Sequence, residues 1–366
     1  MLSPKSRRNI VRIIPFGLIW LFAGVIYSLL ERGLLGNLSY YPSTGNPYDF
    51  ASTLIVTIIT ASLLGLFFGA IEIFYFSGLF ARRTFVAKIV FKTIIYLCVN
   101  IFFLLLNTVI YNASTLNKPI FDAAVLKNVM TFFSSFSFWS VEVYIGTVIG
   151  ISLFYTEVSE NLGQGVLHNF FVGKYHKPKE EERIFMFLDM KSSTTIAEKI
   201  GHVRYFEMLR EYFADLSDSI VRHSGEIYQY VGDEVVLSWK LKNGLSNNNC
   251  IRCFFAMKDE IGKQVEHYNA EFGLLPQFKA GLHIGKVTTG EIGVIKKEII
   301  FTGDVLNTTA RIQGLCNSYE VDILVSDSLM KKLHLQSQFQ VQSLGEKELK
   351  GRGERIMLYT LTPIPN

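Results

Sequence analysis

The chain has 366 residues, 49% of them hydrophobic and 14% aromatic, with a mean hydropathy of +0.27, too apolar for an ordinary soluble enzyme. A net charge of +4 gives no strongly basic face, so nucleic acid is not an expected partner. With only Cys98, Cys250, Cys253 and Cys316, no disulfide framework is expected, and the lone CIRC lacks a second Cys pair or a His at zinc spacing.

The apolar excess lies before residue 155 or so. Four segments there are long enough to cross a bilayer, which takes about 20 residues: Ile13–Leu30, Ser52–Phe74, Ile89–Tyr111 and Met130–Tyr155. The first is too long, and lacks the small-residue cleavage site, to be a removed signal peptide. Lys5, Arg7, Arg8 and Arg12 precede the first span, and Arg82, Arg83 and Lys88 separate the second from the third, whereas Glu31–Ala51 and Asn112–Asn128 carry few positive charges. The positive-inside rule puts both termini in the cytoplasm, as an even number of spans requires. Glu142 falls near the middle of the fourth span, where an ionisable group marks either function or a hydrogen bond to a neighbouring helix. Glu72 and Lys92 read as an interfacial pair. Residues 1–155 are thus expected to form an all-α, four-span membrane domain in contact with lipid.

Residues 156–180 form a connector in which Gly163, Gly165 and Gly173 interrupt a short amphipathic helix. From 181 to 366 strand-like and helix-like segments alternate. RIFMFLDM is an apolar run of strand length ending in Asp189, and KSSTTIAEKI follows with hydroxyl residues suited to a helix N-cap. A helical stretch leads to GEIYQYVGDEVVLSW, a hairpin with Gly232-Asp233-Glu234 at its tip, and then to a helix in which Cys250 and Cys253 are expected to be buried. The strand PQFKAGLHIG, the segments KVTTGEIG and KEIIFTGD, and the helix VLNTTARIQGLC come next.

Two carboxylates stand out. Asp189 ends a buried strand and Asp233 caps a hairpin, so each sits on a short rigid turn that could bring it to the other. Mg²⁺ takes oxygen ligands and commonly uses one or two carboxylates plus substrate phosphates. Beside Asp189, Lys191, Ser192, Ser193 and Thr194 offer backbone N–H groups, hydroxyls and an ammonium at a helix N-terminus, a seat for phosphate. Asn307 and Arg311, four apart, share one helix face, and an Arg there can neutralise charge on a phosphoryl group.

Together FMFLDMKSSTT, YVGDEVVLSW, AGLHIGKVTTGEIG, FTGDVLNTTARIQ and ELKGRG resemble the class III nucleotidyl cyclase domain of adenylate and guanylate cyclases, over roughly Arg183–Tyr359. The resemblance implies an α+β fold with a ferredoxin-like βαββαβ core. It implies a homodimer with shared sites that converts ATP to 3′,5′-cyclic AMP and pyrophosphate in signal transduction. It matches Asp189 and Asp233 to metal ligands holding two Mg²⁺ or Mn²⁺ ions. Asn307 and Arg311 match the ribose-orienting and transition-state residues contributed by the partner chain, and Lys350 matches a lysine on the triphosphate. A membrane cyclase of bacterial type would lie in the inner (plasma) membrane with its catalytic domain in the cytoplasm.

Two positions depart from the family pattern. Where adenylate cyclases commonly carry Lys, and Asp or Thr, at the base-reading places, this chain has Gln229 and Ile300. Neither purine pattern is met. ATP is the expected substrate, with GTP or a pyrimidine nucleotide as the alternative, and a non-catalytic nucleotide-binding receptor as the competing class. A diguanylate cyclase is disfavoured, because VGDEV replaces the GGDEF hairpin of that family.

Overall fold

The computed structural model describes residues 3–41, 47–80, 83–163, 166–335, 338–349 and 355–364. The chain divides into two compact units, one of Ser6–Leu162 and one of the part from Gly163 onward, with which the described residues before Ser6 group.

The first unit contains α1 (Pro4–Leu35), α2 (Phe50–Ile71) with a π-helical turn Glu72–Phe76, α3 (Phe85–Leu116), α4 (Ala123–Phe133) and α5 (Phe136–Leu162). Four helical segments of 27 to 32 residues are long and apolar enough to span a bilayer. The fourth expected segment, Met130–Tyr155, is not one helix. It breaks at Ser134-Ser135, where the Ser135 hydroxyl accepts from the Phe138 N–H (3.2 Å) and restarts the helix as α5, which runs on to Leu162. Small residues let the helices approach: a Cβ at Gly65 of α2 would lie 2.7 Å from the Trp20 Cβ of α1. Trp20, Phe68, Tyr96, Val148, Ile149 and Leu153 form the bundle core. Phe22, Leu63 and Phe102 are among the large apolar side chains left exposed.

Among the described residues, the buried Glu and Lys side chains of this bundle are paired. Lys92 Nζ donates to Glu72 (2.6 Å) and so does the Tyr96 hydroxyl (2.9 Å). The pair expected at an interface is therefore fully buried, at 1% and 2% side-chain exposure, and such a pair survives burial only because each member is satisfied. Glu142 accepts from Asn100 Nδ2 at 3.0 and 3.2 Å, so it joins α5 to α3 by hydrogen bonds.

The second unit begins with the short α6 (Val166–Phe171). It continues through β1 (Lys179–Met190), α7 (Ser193–Ile200), α8 (His202–Arg222), β2 (Glu226–Val231), β3 (Glu234–Lys240), α9 (Leu241–Leu245), α10 (Asn249–Lys263), α11 (Val265–Phe272) and β4 (Phe278–Ile292). After these come β5 (Glu298–Thr302), α12 (Asp304–Gly314), β6 (Ile323–Ser326), α13 (Asp327–Met330), β7 (Phe339–Glu348) and β8 (Arg355–Pro363). The sheet order is β2-β3-β1-β4-β6-β8-β7, with β5 on β4. Because β1 pairs antiparallel with both β3 and β4, the β2-β3-β1-β4 portion, with its intervening helices, is the ferredoxin-like βαββαβ core.

Strand β1 is apolar at successive positions because both of its faces are covered. Ile184, Met186 and Leu188 share a core with Met208, Tyr212 and Leu216 of α8 and with Cys250, Cys253 and Phe254 of α10. Phe185 packs on the other face with Val236, Val287 and Val305 of α12. Cys250 and Cys253 are thus buried helix residues with free thiols.

Candidate active site

Side chains alternate along a strand, so Asp189 emerges on the face of Phe185 and Phe187, the face that α12 covers. Asp233 reaches the same place from the turn between β2 and β3. That turn has two residues, with Gly232 at φ 63° in the first central position, as a type II′ hairpin uses. Because β3 pairs with β1 up to Leu188↔Val235, the hairpin tip stands beside the end of β1. The two carboxylates come close enough for the charge of Asp233 to act on Asp189.

Two like charges this close must be compensated. Burial, and next the charge of Asp233, push the Asp189 carboxyl above the usual carboxylate range, while Lys279 pulls it back. Lys279 Nζ lies 3.4 Å from Asp189 Oδ2, and Gln313 Nε2 of α12 donates to that oxygen at 3.1 Å. Asp233 Oδ2 is buried without any donor. Glu234 shares the field, and burial followed by the charges of Asp189 and Asp233 raises its carboxyl to about 7.

An orphaned buried carboxylate oxygen facing a second carboxylate fits a hard divalent cation. Among the described residues no group of three or more His, Cys, Asp or Glu could hold a metal alone. Asp189 and Asp233 would therefore share the coordination with phosphate or water oxygens.

The remaining predicted residues are distributed as follows. Ser192 is left-handed at φ 55° and Ser193 opens α7, so the Lys191–Thr194 turn follows Asp189 directly. Lys191 is already engaged, its Nζ 2.5 Å from Asp322, which Lys258 also contacts. Gln229 is exposed on β2, next to a bulge between Ile227 and Gln229. That bulge presents Tyr228, whose hydroxyl accepts from the Phe301 N–H (3.2 Å) and whose ring lies 4.7 Å from that of Phe301. Gln229 follows Tyr228 on β2 and Ile300 precedes Phe301 on β5, so each is a chain neighbour of this contact. Asn307 is exposed and Arg311 half-buried on α12, while Val305, Thr308, Thr309, Ile312 and Gln313 are its buried positions. Among the described residues neither Asn307 nor Arg311 bonds to Asp189 or Asp233 of its own chain. Lys350 lies outside the described residues.

Sequence reasoning missed Lys279, Gln313 and Glu234. A lysine within the apolar FKAGLHIG was a signal for the first. Gln313, two places from Arg311, falls on a different side of the helix, and only packing shows that it meets Asp189. That packing needs Gly281: a Cβ there would lie 2.4 Å from the Gln313 backbone nitrogen.

The family model for the adenylate and guanylate cyclase catalytic domain matches residues 175–363, more than half of the chain. Adenylate cyclase 2 of Rhizobium meliloti (strain 1021) is 37% identical over 223 residues, which are 61% of this chain and 61% of that protein. The adenylate cyclase of Anabaena cylindrica is 25% identical over 48% of this chain and 35% of its own length. The chain thus spans less than two thirds of these relatives. Among solved structures, a bacterial light-regulated adenylyl cyclase superposes with a TM-score of 0.53 at 21% identity, covering 62% of this chain and 66% of that one, a likeness of fold. With its ferredoxin-like core and paired aspartates inside the matched region, the chain belongs to the adenylate and guanylate cyclase catalytic domain family.

Proposed function

We propose that this protein is a membrane-anchored cyclase that converts ATP to 3′,5′-cyclic AMP and pyrophosphate as a homodimer. The observation that carries the reading is the meeting of Asp189 and Asp233 with a buried, donorless Oδ2 on Asp233. The names of the two relatives above, both adenylate cyclases, support ATP over GTP.

In this reading Asp189 and Asp233 hold two Mg²⁺ or Mn²⁺ ions. Bound divalent cations would supply Lewis acidity toward the ribose 3′-hydroxyl and charge neutralisation toward the leaving pyrophosphate. Asn307 and Arg311, on the outward side of α12, serve the partner's aspartates. The amide orients the ribose, and the guanidinium neutralises charge developing on the α-phosphate as the 3′-oxygen attacks. The Lys191–Thr194 turn and Lys350 hold the triphosphate. Gln229 and Ile300 border the base and replace the residues that usually read it. The four long apolar helices support anchoring in a plasma membrane, with the basic ends and the catalytic unit in the cytoplasm.

The test is an assay of the purified full chain with Mg²⁺ or Mn²⁺ and each of the four nucleoside triphosphates, with products separated by chromatography. ATP should give cyclic AMP and pyrophosphate, and Asp233→Ala should lower the rate by at least about a hundredfold. No cyclic product from any nucleotide, or full activity in the variant, overturns the proposal.

A further inference from the structure

We infer that the pocket between the start of α3 and the last turns of α5 binds the phosphate of an anionic phospholipid headgroup. The inference rests on the reading that the apolar helices cross a membrane with their basic ends in the cytoplasm. The cavity measures about 420 Å³ and its polar lining is Arg83, Lys88, Glu157 and Asn161. Its apolar wall, Phe85, Val158 and Leu162, suits the glycerol and upper acyl carbons of a lipid.

The charges around it leave room for one anion. Lys88 lies 3.3 Å from Glu157, Lys92 lies 3.7 Å from Glu157 and 2.6 Å from Glu72, so these two lysines and two glutamates balance. Glu160, one turn beyond Glu157, is paired with Arg12. Arg83 is exposed and has no ion-pair partner among the described residues. The site therefore carries one uncompensated cation at its mouth; beside it stand the Lys88 ammonium, which has N–H groups beyond the one facing Glu157, and the Asn161 amide, whose nitrogen also donates to the Glu157 carbonyl (2.7 Å). A guanidinium grips phosphate oxygens through two parallel N–H bonds, and basic pockets between membrane helices on the cytoplasmic side are where anionic headgroups seat. A headgroup held here would bridge the first turn of α3 to the end of α5, the helix from which the chain leaves the membrane unit.

The experiment uses the full chain, delipidated in an uncharged detergent, and measures binding by native mass spectrometry. The probes are phosphatidylglycerol, phosphatidylcholine and soluble glycerol phosphate. Phosphatidylglycerol should be retained in preference to phosphatidylcholine, and Arg83→Gln, an exposed change, should weaken that retention about fivefold. Competition by glycerol phosphate would mean that the site takes phosphate from either source. Binding of the lipid without such competition would mean that it takes it only from a membrane. Equal retention of both lipids, or undiminished binding in Arg83→Gln with an unchanged melting temperature, overturns the inference. Flotation with neutral phosphatidylcholine vesicles reports membrane anchoring separately, and cyclic nucleotide formation plays no part in the readout.

Discussion

Lys279 stands directly opposite Asp189 in the β1–β4 ladder, and its ammonium lies 3.4 Å from the Asp189 carboxylate. The chain thus carries its own cation against the acidic pair. Lys279 also lies 3.2 Å from the Asn317 side-chain oxygen, which steadies it from the far side. Lys279 and Gln313 both meet Asp189 at its Oδ2, and the charge of Asp233 acts on the same carboxyl.

Removing that cation should make Asp189 harder to ionise. Lys279→Ala is expected to move the acid limb of kcat/KM to higher pH by about one unit, because an opposite charge at this range lowers a carboxyl by that much or more. Lys279→Arg should leave the limb where it was. A pH profile identical in all three proteins would show that Lys279 does not govern Asp189.

Asp233→Asn takes one charge out of a pair whose members repel. In chelator the variant should melt no lower than the parent. Mn²⁺ at about a hundred times its Kd should stabilise the parent by about 2.7 kcal/mol and leave the variant unmoved. Equal Mn²⁺-induced shifts in the two proteins would remove Asp233 from the metal site.

Glu234 gives the metal-free protein a pH dependence of definite sign. Its carboxyl rises from 4.5 to about 7 on folding, so the folded chain holds this proton more tightly than the unfolded chain does. The associated stability is complete below about pH 4.5 and is lost as pH climbs through about 7. Thermal melts in chelator across that window should fall with pH, and Glu234→Gln should flatten the fall. Parallel slopes for the two proteins would assign the dependence to other groups.

A shared site can be tested by mixing. Chains carrying Asp233→Ala and chains carrying Arg311→Ala should each be inactive, and co-expressed they should recover activity, since one of the two sites in a heterodimer is intact. Two folded, associated variants that stay inactive together would show that each chain completes its own site.

Much of this was legible in the residues. Twenty-residue apolar runs announce membrane helices because each must satisfy its backbone internally in lipid. The start of the fourth run was misjudged because Ser134-Ser135 offers hydroxyls that compete with the helix ladder, and hydropathy does not register that competition. RIFMFLDM reads as a buried strand because a strand covered on both faces has no polar side, and Gly232-Asp233 reads as a hairpin tip because only glycine turns the chain there without strain.

Sequence by itself determined the helices that can cross a bilayer, the strand and hairpin that carry Asp189 and Asp233, and the family to which they belong, since each follows from the local order of residue types. The tertiary structure alone decided that Lys279 faces Asp189, that Gln313 reaches it over Gly281, and that Tyr228 bridges β2 to β5. Those pairings depend on strand register and helix approach. Packing across the sheet sets both, between residues more than 70 positions apart.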